Sequence, residues 1–302
     1  MNKLLKFLTP AKPADATAFR GVGIAWASGD IVPEFAGRRT FSAEVHMTAG
    51  PRKADDQGLG EDAGGFLLAG NQMGFWVADG TSESAVIGSQ FSSRRLAQDL
   101  GREFADAFRR TRRQNPNFPE LVVSGVISAV IDRWSNTLDD LMGTADGRDL
   151  LDQAFALDPD DLAMTGCTHH SHLDFSATFL CGRLSTEGAL DYAISGDCKL
   201  LAHGRKAARI SYPESRLFLR LRRMDSDSYR FITSDPRDLK VGGVADVTLV
   251  AAGSDGIGRL DAMMAAQLGH LPSNTIRDNL SRYRPSTHDD KTLVVIELED
   301  DA

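Results

Sequence analysis

Phe75-Trp76-Val77-Ala78-Asp79-Gly80 is an apolar stretch that runs directly into an aspartate and a glycine. The pattern recurs where the apolar run 247–252 leads through Gly253-Ser254 to Asp255-Gly256, and in reverse where Asp289-Asp290 precedes the apolar run 292–296. The end of one antiparallel strand lies beside the start of its neighbour, so these acidic positions can share one edge of a sheet. We therefore expect a β-rich fold in which Asp79, Asp255 and Asp289 form one carboxylate cluster.

A carboxylate cluster of this kind needs a counter-charge, because several ionised carboxylates repel one another in a small volume. Oxygen ligands without imidazole or thiolate favour Mg²⁺ or Mn²⁺ over zinc. The glycines after Asp79 and Asp255 would let backbone carbonyls approach an ion closely. Taken singly, an Asp-Gly pair is most simply a turn and Asp289-Asp290 a solvated loop, so the metal hypothesis depends on the order and spacing of the motifs together.

Apolar periodicity predicts the remaining elements. Apolar residues at three- and four-residue steps predict an antiparallel helix pair between Ser84 and Thr144, with the first helix starting near Ala85 and a break at 115–119. Shorter helices are expected at 149–157 and 261–268. Strands are predicted at 41–47, 65–69, 74–78, 175–181, 190–194, 200–203, 247–252 and 292–298. This order indicates an α+β fold in which helices flank an antiparallel sheet or β-sandwich.

The chain divides into two parts by the same criteria. Residues 1–40 mix proline, glycine and alanine without sustained periodicity, so we expect an N-terminal extension or cap there. The folded domain is expected to span 41–302. No repeat and no Gly-rich nucleotide-binding fingerprint is present in the sequence.

The composition is that of a globular chain: 302 residues, 25% charged and 42% hydrophobic. The formal net charge of −8 argues against nucleic acid or anionic lipid as the main partner. No apolar run is long enough for a membrane span, and we recognise no export signal. Three cysteines favour free thiols in a reducing compartment, so a cytoplasmic location is expected.

The ordered motifs resemble those of the metal-dependent serine/threonine protein phosphatases of type 2C (the PPM family), over about residues 41–299. Glu61-Asp62-Ala63 and the stretch ending in Asp79-Gly80 look like the family's first two acidic motifs. Later motifs are similar in the same order: the strand Phe175-Ser176-Ala177-Thr178-Phe179-Leu180, the Gly196-Asp197 turn, Gly253-Ser254-Asp255-Gly256 and Asp289-Asp290-Lys291-Thr292.

The resemblance implies a four-layer α-β-β-α fold with a two-metal site at one edge of the sandwich. By position, Asp79 would bridge two Mn²⁺ or Mg²⁺ ions and Gly80 would offer its backbone carbonyl to one of them. Asp197 matches a position that helps to hold a weaker third ion in some members. The remaining implied ligands are Glu61 and Asp62, directly or through water, and Asp255 and Asp289 around the first ion.

The implied activity is hydrolysis of phosphoserine or phosphothreonine in a phosphorylated protein substrate, by a water molecule activated between two metal ions. The candidate catalytic residues are Asp62, Asp79, Asp255 and Asp289. This mechanism requires no covalent intermediate, so Cys181 and Cys198 are expected to be buried small hydrophobes. The alternative function is a catalytically silent module that binds a phosphorylated or effector partner.

Departures from the family pattern motivate that alternative. Gln57 stands where the family carries a basic residue that contacts phosphate; Arg52 and Lys53 are the nearest candidates. Asp56 is an alternative to Asp62 as first-motif ligand, although Asp62 leads directly into an apolar strand. Relatives carry His or Met and two glycines at the position of Thr81-Ser82-Glu83, which is most simply a helix start here.

Three further features have a functional and a structural interpretation. Asp290 replaces the usual asparagine, and its charge either tightens cation binding or faces water. The segment from Cys167 to His172 matches no usual zinc-ligand spacing, so a loop is favoured. The basic stretch from Arg205 to Arg223 is either a solvated surface or helps to dock an acidic or phosphorylated partner.

Overall fold

The computed structural model describes residues 19–22, 39–48, 60–81, 86–110, 117–156, 172–206, 208–225, 228–233, 239–257 and 289–300, and the structural statements below concern these residues. They form two β-sheets packed face to face, with helices against one of them.

The sheet under the helices, here called the helix-side sheet, contains five strands in spatial order: β3 (Asp62–Ala69), β4 (Gln72–Gly80), β5 (His172–Ser185), the first half of β6 (Leu190–Gly204) and β10 (Lys240–Val244). The first half of β5 runs beyond this core. There it pairs with β8 (Leu217–Asp225), which pairs in turn with β9 (Ser228–Thr233).

The outer sheet contains β1 (Phe19–Val22), β2 (Arg39–Thr48), β12 (Lys291–Asp300), β11 (Val247–Gly253), the second half of β6 and β7 (Ala208–Tyr212). Every described strand pair is antiparallel except β1–β2. The edge strand β1 lies inside the segment predicted as an extension, so at least this part of the extension joins the sheet.

Strand β6 belongs to both sheets. Its first half pairs with β5 and its second half with β11, and the pairing with β7 shifts in register between Gly196 and Lys199. Gly196 has φ +85°, which a residue without Cβ adopts readily. The prediction of two separate strands around a Gly-Asp turn is therefore wrong: the chain passes from sheet to sheet without a break in the strand.

Alternate residues of the central strands enter two different cores, because successive side chains point to opposite faces. On β4, Phe75 and Val77 lie between the sheets, whereas Trp76 and Ala78 face the helices. Burial on both faces explains why this strand is apolar throughout rather than alternating. The same alternation places the next residue, Asp79, on the side that faces the outer sheet.

The helices pack on the helix-side sheet as α1 (Ser93–Arg110), α2 (Phe118–Glu120), a π-helical segment (Leu121–Ile127), α3 (Ser128–Met142) and α4 (Ala145–Phe155). Glu103 contacts Arg133, and Asp99 contacts Trp134. A Cβ on Gly125 would contact Ala107. In these contacts the residue numbers rise along α1 while they fall along α3 and the π-helical segment, which confirms the predicted antiparallel pair.

The predicted start of the first helix near Ala85 is wrong. Ile87 and Phe91 form an isolated β-bridge around a turn, and α1 begins only at Ser93. Ser92 caps it, because its hydroxyl accepts a hydrogen bond from Arg95 N at 3.0 Å.

The architecture confirms the predicted α+β class, an antiparallel β-sandwich flanked by helices. The helix predicted at 261–268 lies outside the described residues, and the division into 1–40 and 41–302 stays a prediction. The sequence patterns had not predicted the strands β1, β7, β8, β9 and β10. Within the described part of the chain, no helix combines the length and apolarity that a bilayer span requires.

Candidate metal centre

Asp62 and Asp79 occupy directly opposite positions on neighbouring strands. Asp62 is the first residue of β3, Asp79 is the last but one of β4, and the two are register partners. Partners in register share one face of a sheet, here the face turned toward the outer sheet. The strand pairing thus places two carboxylates side by side at the end of the sandwich.

Asp255 and Asp289 reach the same edge from the outer sheet. Asp255 follows the end of β11, and Asp289 precedes the start of the neighbouring strand β12. Two 3.0 Å hydrogen bonds hold this junction: Ser254 N donates to the Thr292 carbonyl, and Thr292 N donates to Ser254 Oγ.

The pKa of Asp79 is influenced by the other three predicted carboxylates. Burial raises the pKa of Asp79, and the neighbouring charges of Asp62, Asp255 and Asp289 raise that pKa further. We call the cluster of Asp62, Asp79, Asp255 and Asp289 the acidic edge.

The other two resolved pKa values at the acidic edge are also raised, mainly by burial. For Asp62, the hydroxyls of Ser254 and Thr292 partly oppose the rise in pKa, and the charge of Asp290 adds to it. The pKa of Asp255 is raised by burial and then by the charges of Asp197 and Asp289, while Lys199 opposes the rise. Ionising this group of side chains together is therefore costly without an added cation.

The oxygen atoms at the acidic edge fit a hard divalent cation. Both carboxylate oxygens of Asp62 and Oδ1 of Asp255 are buried and have no hydrogen bond of standard geometry in the described structure, although the hydroxyls of Ser254 and Thr292 lie near enough to Asp62 to act on its pKa. A buried charged oxygen without a donor costs on the order of 1–3 kcal/mol or more, which a cation would offset. Within the described residues, no group of three or more acidic, histidine or cysteine side chains has the geometry of a metal site.

Glu61, Gly80 and Asp290 tie the edges of the two sheets together. Gly80 N donates to the carbonyl of Glu61 at 3.4 Å, and Glu61 N donates to Oδ2 of Asp290. Asp290 is only 2% exposed. The interpretation in which Asp290 faces water is therefore wrong: its carboxylate links the start of β12 to the start of β3.

Gly80 and Gly256 are explained by chain packing. A Cβ on Gly80 would lie 2.7 Å from the carbonyl oxygen of Ser93, where helix α1 begins. A Cβ on Gly256 would overlap the carbonyl oxygen of Asp290. The space left by each missing side chain is filled by backbone, so close chain contact is reason enough for glycine at both positions.

Asp197 borders the acidic edge from the point where β6 changes sheets. Its influence on the pKa of Asp255 shows that the two are near neighbours. Arg216 lies 3.4 Å from its Oδ2, and the Asp197 side chain is 32% exposed. Its suggested part in holding a third ion stays a prediction, as do the ligand roles of the other residues.

Thr81 makes a hydroxyl cluster beside the acidic edge. Its Oγ1 lies 2.7 Å from Ser176 Oγ and 3.3 Å from Ser93 Oγ. Ser93 Oγ in turn accepts from Ser176 N at 2.9 Å. Thr81 therefore links the end of β4 to β5 and to the start of α1. Its position in the sequence did not indicate this structural role.

Several predicted positions lie outside the described residues. These include both alternatives for phosphate contact and the competing first-motif ligand: Arg52, Lys53, Asp56 and Gln57. They also include Ser82, Glu83 and Cys167. The choice between Asp56 and Asp62 stays a prediction, to which the burial of Asp62 beside Asp79 gives a structural basis.

The two described cysteines confirm the expectation of buried free thiols. Cys181 and Cys198 are both fully buried and form no disulfide. Burial raises the pKa of both thiols, and for Cys198 the charge of Asp79 raises it further. Cys198 Sγ lies 2.9 Å from Thr178 Oγ1. Neither thiol has the exposure or the lowered pKa of a nucleophile.

Neither a protein family model nor a curated protein sequence matches the chain. Among solved structures, a variant of a bacterial serine phosphatase is similar over 86% of this chain and 98% of that one, with 13% identity and a TM-score of 0.49. The photosystem II phosphatase PBCP is 16% identical over 86% and 99% of the two chains, with a TM-score of 0.46. RsbX in complex with magnesium is 13% identical over 86% and 96%, also at 0.46. Similarities at this level of identity and TM-score carry no information about activity.

Proposed function

We propose that this protein is a metal-dependent phosphatase of the type 2C kind that hydrolyses phosphoserine or phosphothreonine in a protein substrate. The observation that carries the proposal is the acidic edge: four carboxylates from four separate stretches of chain act on one another there, and buried oxygens of Asp62 and Asp255 have no hydrogen bond of standard geometry. A structural purpose alone gives no reason to gather mutually repelling groups.

The proposed cofactor is a pair of Mn²⁺ or Mg²⁺ ions held by Asp62, Asp79, Asp255 and Asp289. Such ions, when bound, supply charge neutralisation and lower the pKa of a water molecule so that it can attack phosphorus. Asp79 has the central position, because the charges of the other three carboxylates all act on it. Phosphoryl transfer asks the protein mainly for positioning and neutralisation, which matches a site made of fixed carboxylates.

The chain's own residues fix the positions of these ligands. Register pairing holds Asp62 opposite Asp79, and the Ser254–Thr292 hydrogen bonds hold Asp255 near the start of β12. Asp290 joins the two sheets through Glu61 N. The ligands are thus attached to strand ends rather than to a free loop, which gives the preorganisation that phosphoryl transfer needs.

The test is hydrolysis of an aryl phosphate and of a phosphothreonine peptide as a function of added Mn²⁺. We expect turnover that requires the ion and that is lost in Asp79→Asn. A matched control is Asp140→Asn, which removes an exposed carboxylate on α3, outside the acidic edge. Metal-independent turnover, or Asp79→Asn at the wild-type rate, would defeat the proposal. Absence of turnover with saturable binding of a phosphopeptide would instead identify the silent binding module.

A further inference from the structure

The first half of β5 carries a sheet face out of the sandwich and away from the acidic edge. Thr178 on β5 pairs with Asp79, and its Ser176 neighbour on the same face pairs with Phe218 of β8. Further along, Asp174 pairs with Arg220, and His172 pairs with Arg222. Because every second residue shares a face, one continuous surface runs from the acidic edge across β5, β8 and β9.

This surface, here called the β5–β8–β9 face, is exposed and partly apolar at its far end. Ile232 of β9 lies opposite Arg220 and is 41% exposed, and Met224 at the end of β8 is 57% exposed. The opposite side of the same strands carries Leu219, Leu221 and Phe231, which are buried against the helices. The hairpin is therefore anchored on one side and free of the described chain on the other.

The arginines of the hairpin region divide into two groups. Arg220 forms a two-point ion pair with Asp174 at 2.6 and 2.8 Å, Arg223 pairs with Asp152 at 3.0 Å, and Arg216 lies 3.4 Å from Asp197. These three charges are already offset. Arg222 and Arg230, both exposed, form no ion pair or hydrogen bond with a described residue.

Arg222 and Arg230 are register partners on adjacent antiparallel strands. Like charges directly opposite each other are destabilising in a sheet. His172 pairs with Arg222 from the other side, so no carboxylate directly faces either arginine across these pairings. In a chain whose net charge is −8, this is a local cationic spot that an anionic ligand would stabilise.

We propose that the β5–β8–β9 face binds an acidic, extended segment of the phosphoprotein substrate, with Arg222 and Arg230 contacting its carboxylates and Ile232 and Met224 its apolar atoms. This inference rests on the proposed phosphatase function and adds a substrate class to it. Two exposed arginines favour recognition of carboxylates, and their contribution to binding is expected to weaken with added salt.

The fold sets a distance for this recognition. Six residues of β5 separate the row of Asp79 and Thr178 from the row of His172 and Arg222. At about 3.3 Å per residue, the cationic spot lies roughly 20 Å from the acidic edge. An extended peptide covers that span in about six residues. The acidic residues of a preferred substrate are therefore expected about six positions from the phosphorylated one.

The experiment uses the full chain with Mn²⁺ and phosphothreonine peptides in which a Glu-Glu pair is moved stepwise along either side. We expect kcat/KM to peak when the pair lies about six residues away on one side, about tenfold above a neutral peptide at low ionic strength, and the peak to fade with added salt. In Arg222→Gln/Arg230→Gln the peak should disappear, while aryl phosphate turnover stays within about twofold.

The control variant is Arg109→Gln/Arg110→Gln, which removes the same number of charges from exposed positions at the far end of α1. It should retain the positional peak. A flat dependence on the position of the acidic pair in the wild-type protein, or equal loss of the peak in both double variants, would overturn the proposal.

A second measurement separates this inference from the proposed function. If the wild-type protein fails to hydrolyse aryl phosphate, the phosphatase proposal fails, and the face is then tested by fluorescence polarisation of an unphosphorylated Glu-rich peptide. Binding that is weakened about tenfold in Arg222→Gln/Arg230→Gln but not in the α1 control keeps the docking surface. Equal binding by all three proteins overturns it.

Discussion

Two regions of the described chain hold buried or partly buried acidic side chains in different surroundings. At the α1–α3 interface, Asp99 is 1% exposed, and its Oδ2 accepts hydrogen bonds from Trp134 Nε1 and Arg95 Nε, both at 3.0 Å. Its other oxygen accepts no hydrogen bond but has the guanidinium of Arg102 at 3.5 Å. Glu103, nearby, pairs with Arg133. Each buried acid here has a partner supplied by the chain.

At the acidic edge the neighbours of each carboxylate are mainly other carboxylates. Asp62 faces Asp79 in register, and neither of its oxygens has a hydrogen bond of standard geometry; the nearest donors are the hydroxyls of Ser254 and Thr292. Asp79 is surrounded by three like charges, and Asp255 has a single nearby cation, Lys199, among the groups that act most strongly on its pKa. The comparison shows that the acids of the helix interface have donors and cations from the chain, whereas the carboxylates of the acidic edge mainly act on one another, which is why we propose that cations bind there.

The largest expected effect is on turnover. Asp79→Asn should lower kcat by about a thousandfold or more, since it removes the central carboxylate that would hold the cations and neutralise developing charge. Asp99→Asn should leave kcat within about threefold, because its buried carboxylate is part of the helix interface. Turnover at several Mn²⁺ concentrations checks both. If both variants lost activity to the same extent, the distinction between the two regions would not hold.

The free energy of unfolding should depend strongly on Asp99, the residue whose substitution should hardly change turnover. Asp99→Ala should lower the free energy of unfolding by about 2–3 kcal/mol, because Trp134 Nε1 is left buried without an acceptor and two arginines lose their partner. Urea unfolding without divalent cations measures this. Asp140→Ala on the exposed side of α3 serves as the control and should change little. A loss below about 0.5 kcal/mol for Asp99→Ala would mean that the interface pairing is not stabilising.

Added Mn²⁺ should stabilise the wild-type protein. A ligand that binds only the folded state at a hundred times its Kd adds about 2.7 kcal/mol. Asp79→Asn should lose most of this increment, whereas Asp99→Asn should retain it. Thermal unfolding with and without Mn²⁺ distinguishes the cases, and equal stabilisation of all three proteins would place the ion elsewhere.

The metal-free protein should also show the cost of the acidic edge in its pH dependence. Folding raises the pKa values of Asp62 and Asp79 above those of the unfolded chain. Raised carboxyl pKa values contribute stability that is fully present below the unfolded-state value of about 4 and is lost as the pH rises toward the folded-state values. The stability advantage of Asp79→Asn over the wild type should therefore grow with pH between pH 5 and pH 8, by at most about 1.4 kcal/mol per pH unit. A constant difference over that range would show that Asp79 is ionised in the folded protein as it is in the unfolded chain.

Most of the sandwich was predictable because its strands are apolar on both faces. The runs around Phe75, Val250 and Val294 are continuous, and each ends or begins at one of the acidic residues. Convergence of the carboxylates at one edge then followed from antiparallel pairing alone. The roles of these residues as ligands stay predictions, because they depend on cations that strand patterns do not describe.

The parts that were missed share a physical cause: local charge or turn signals concealed the pattern. Strand β8 has buried Leu217, Leu219 and Leu221 at every second position, but the arginines at 216, 220, 222 and 223 made the stretch look like a solvated basic segment. Gly196-Asp197 looked like a turn because glycine beside aspartate is typical of turns. In the structure, the left-handed Gly196 instead lies where a strand crosses between sheets. The start of α1 was placed too early because Ile87 and Phe91 keep helical spacing while forming a tight turn.

The smallest expected effect concerns Asp290, which differs from the chain's other buried acids in joining the two sheets. Asp290→Asn keeps an oxygen that can accept the hydrogen bond from Glu61 N, so the free energy of unfolding should change by only about 0.5 kcal/mol. The lost negative charge beside Asp62 should weaken Mn²⁺ binding by about threefold, since that charge adds to the attraction for a cation.

Asp290→Ala, which also removes the acceptor, should lower the free energy of unfolding by about 1 kcal/mol more. Calorimetric Mn²⁺ titration and urea unfolding of both variants separate the charge from the hydrogen bond. Unchanged Mn²⁺ affinity in Asp290→Asn would assign Asp290 to the sheet junction alone.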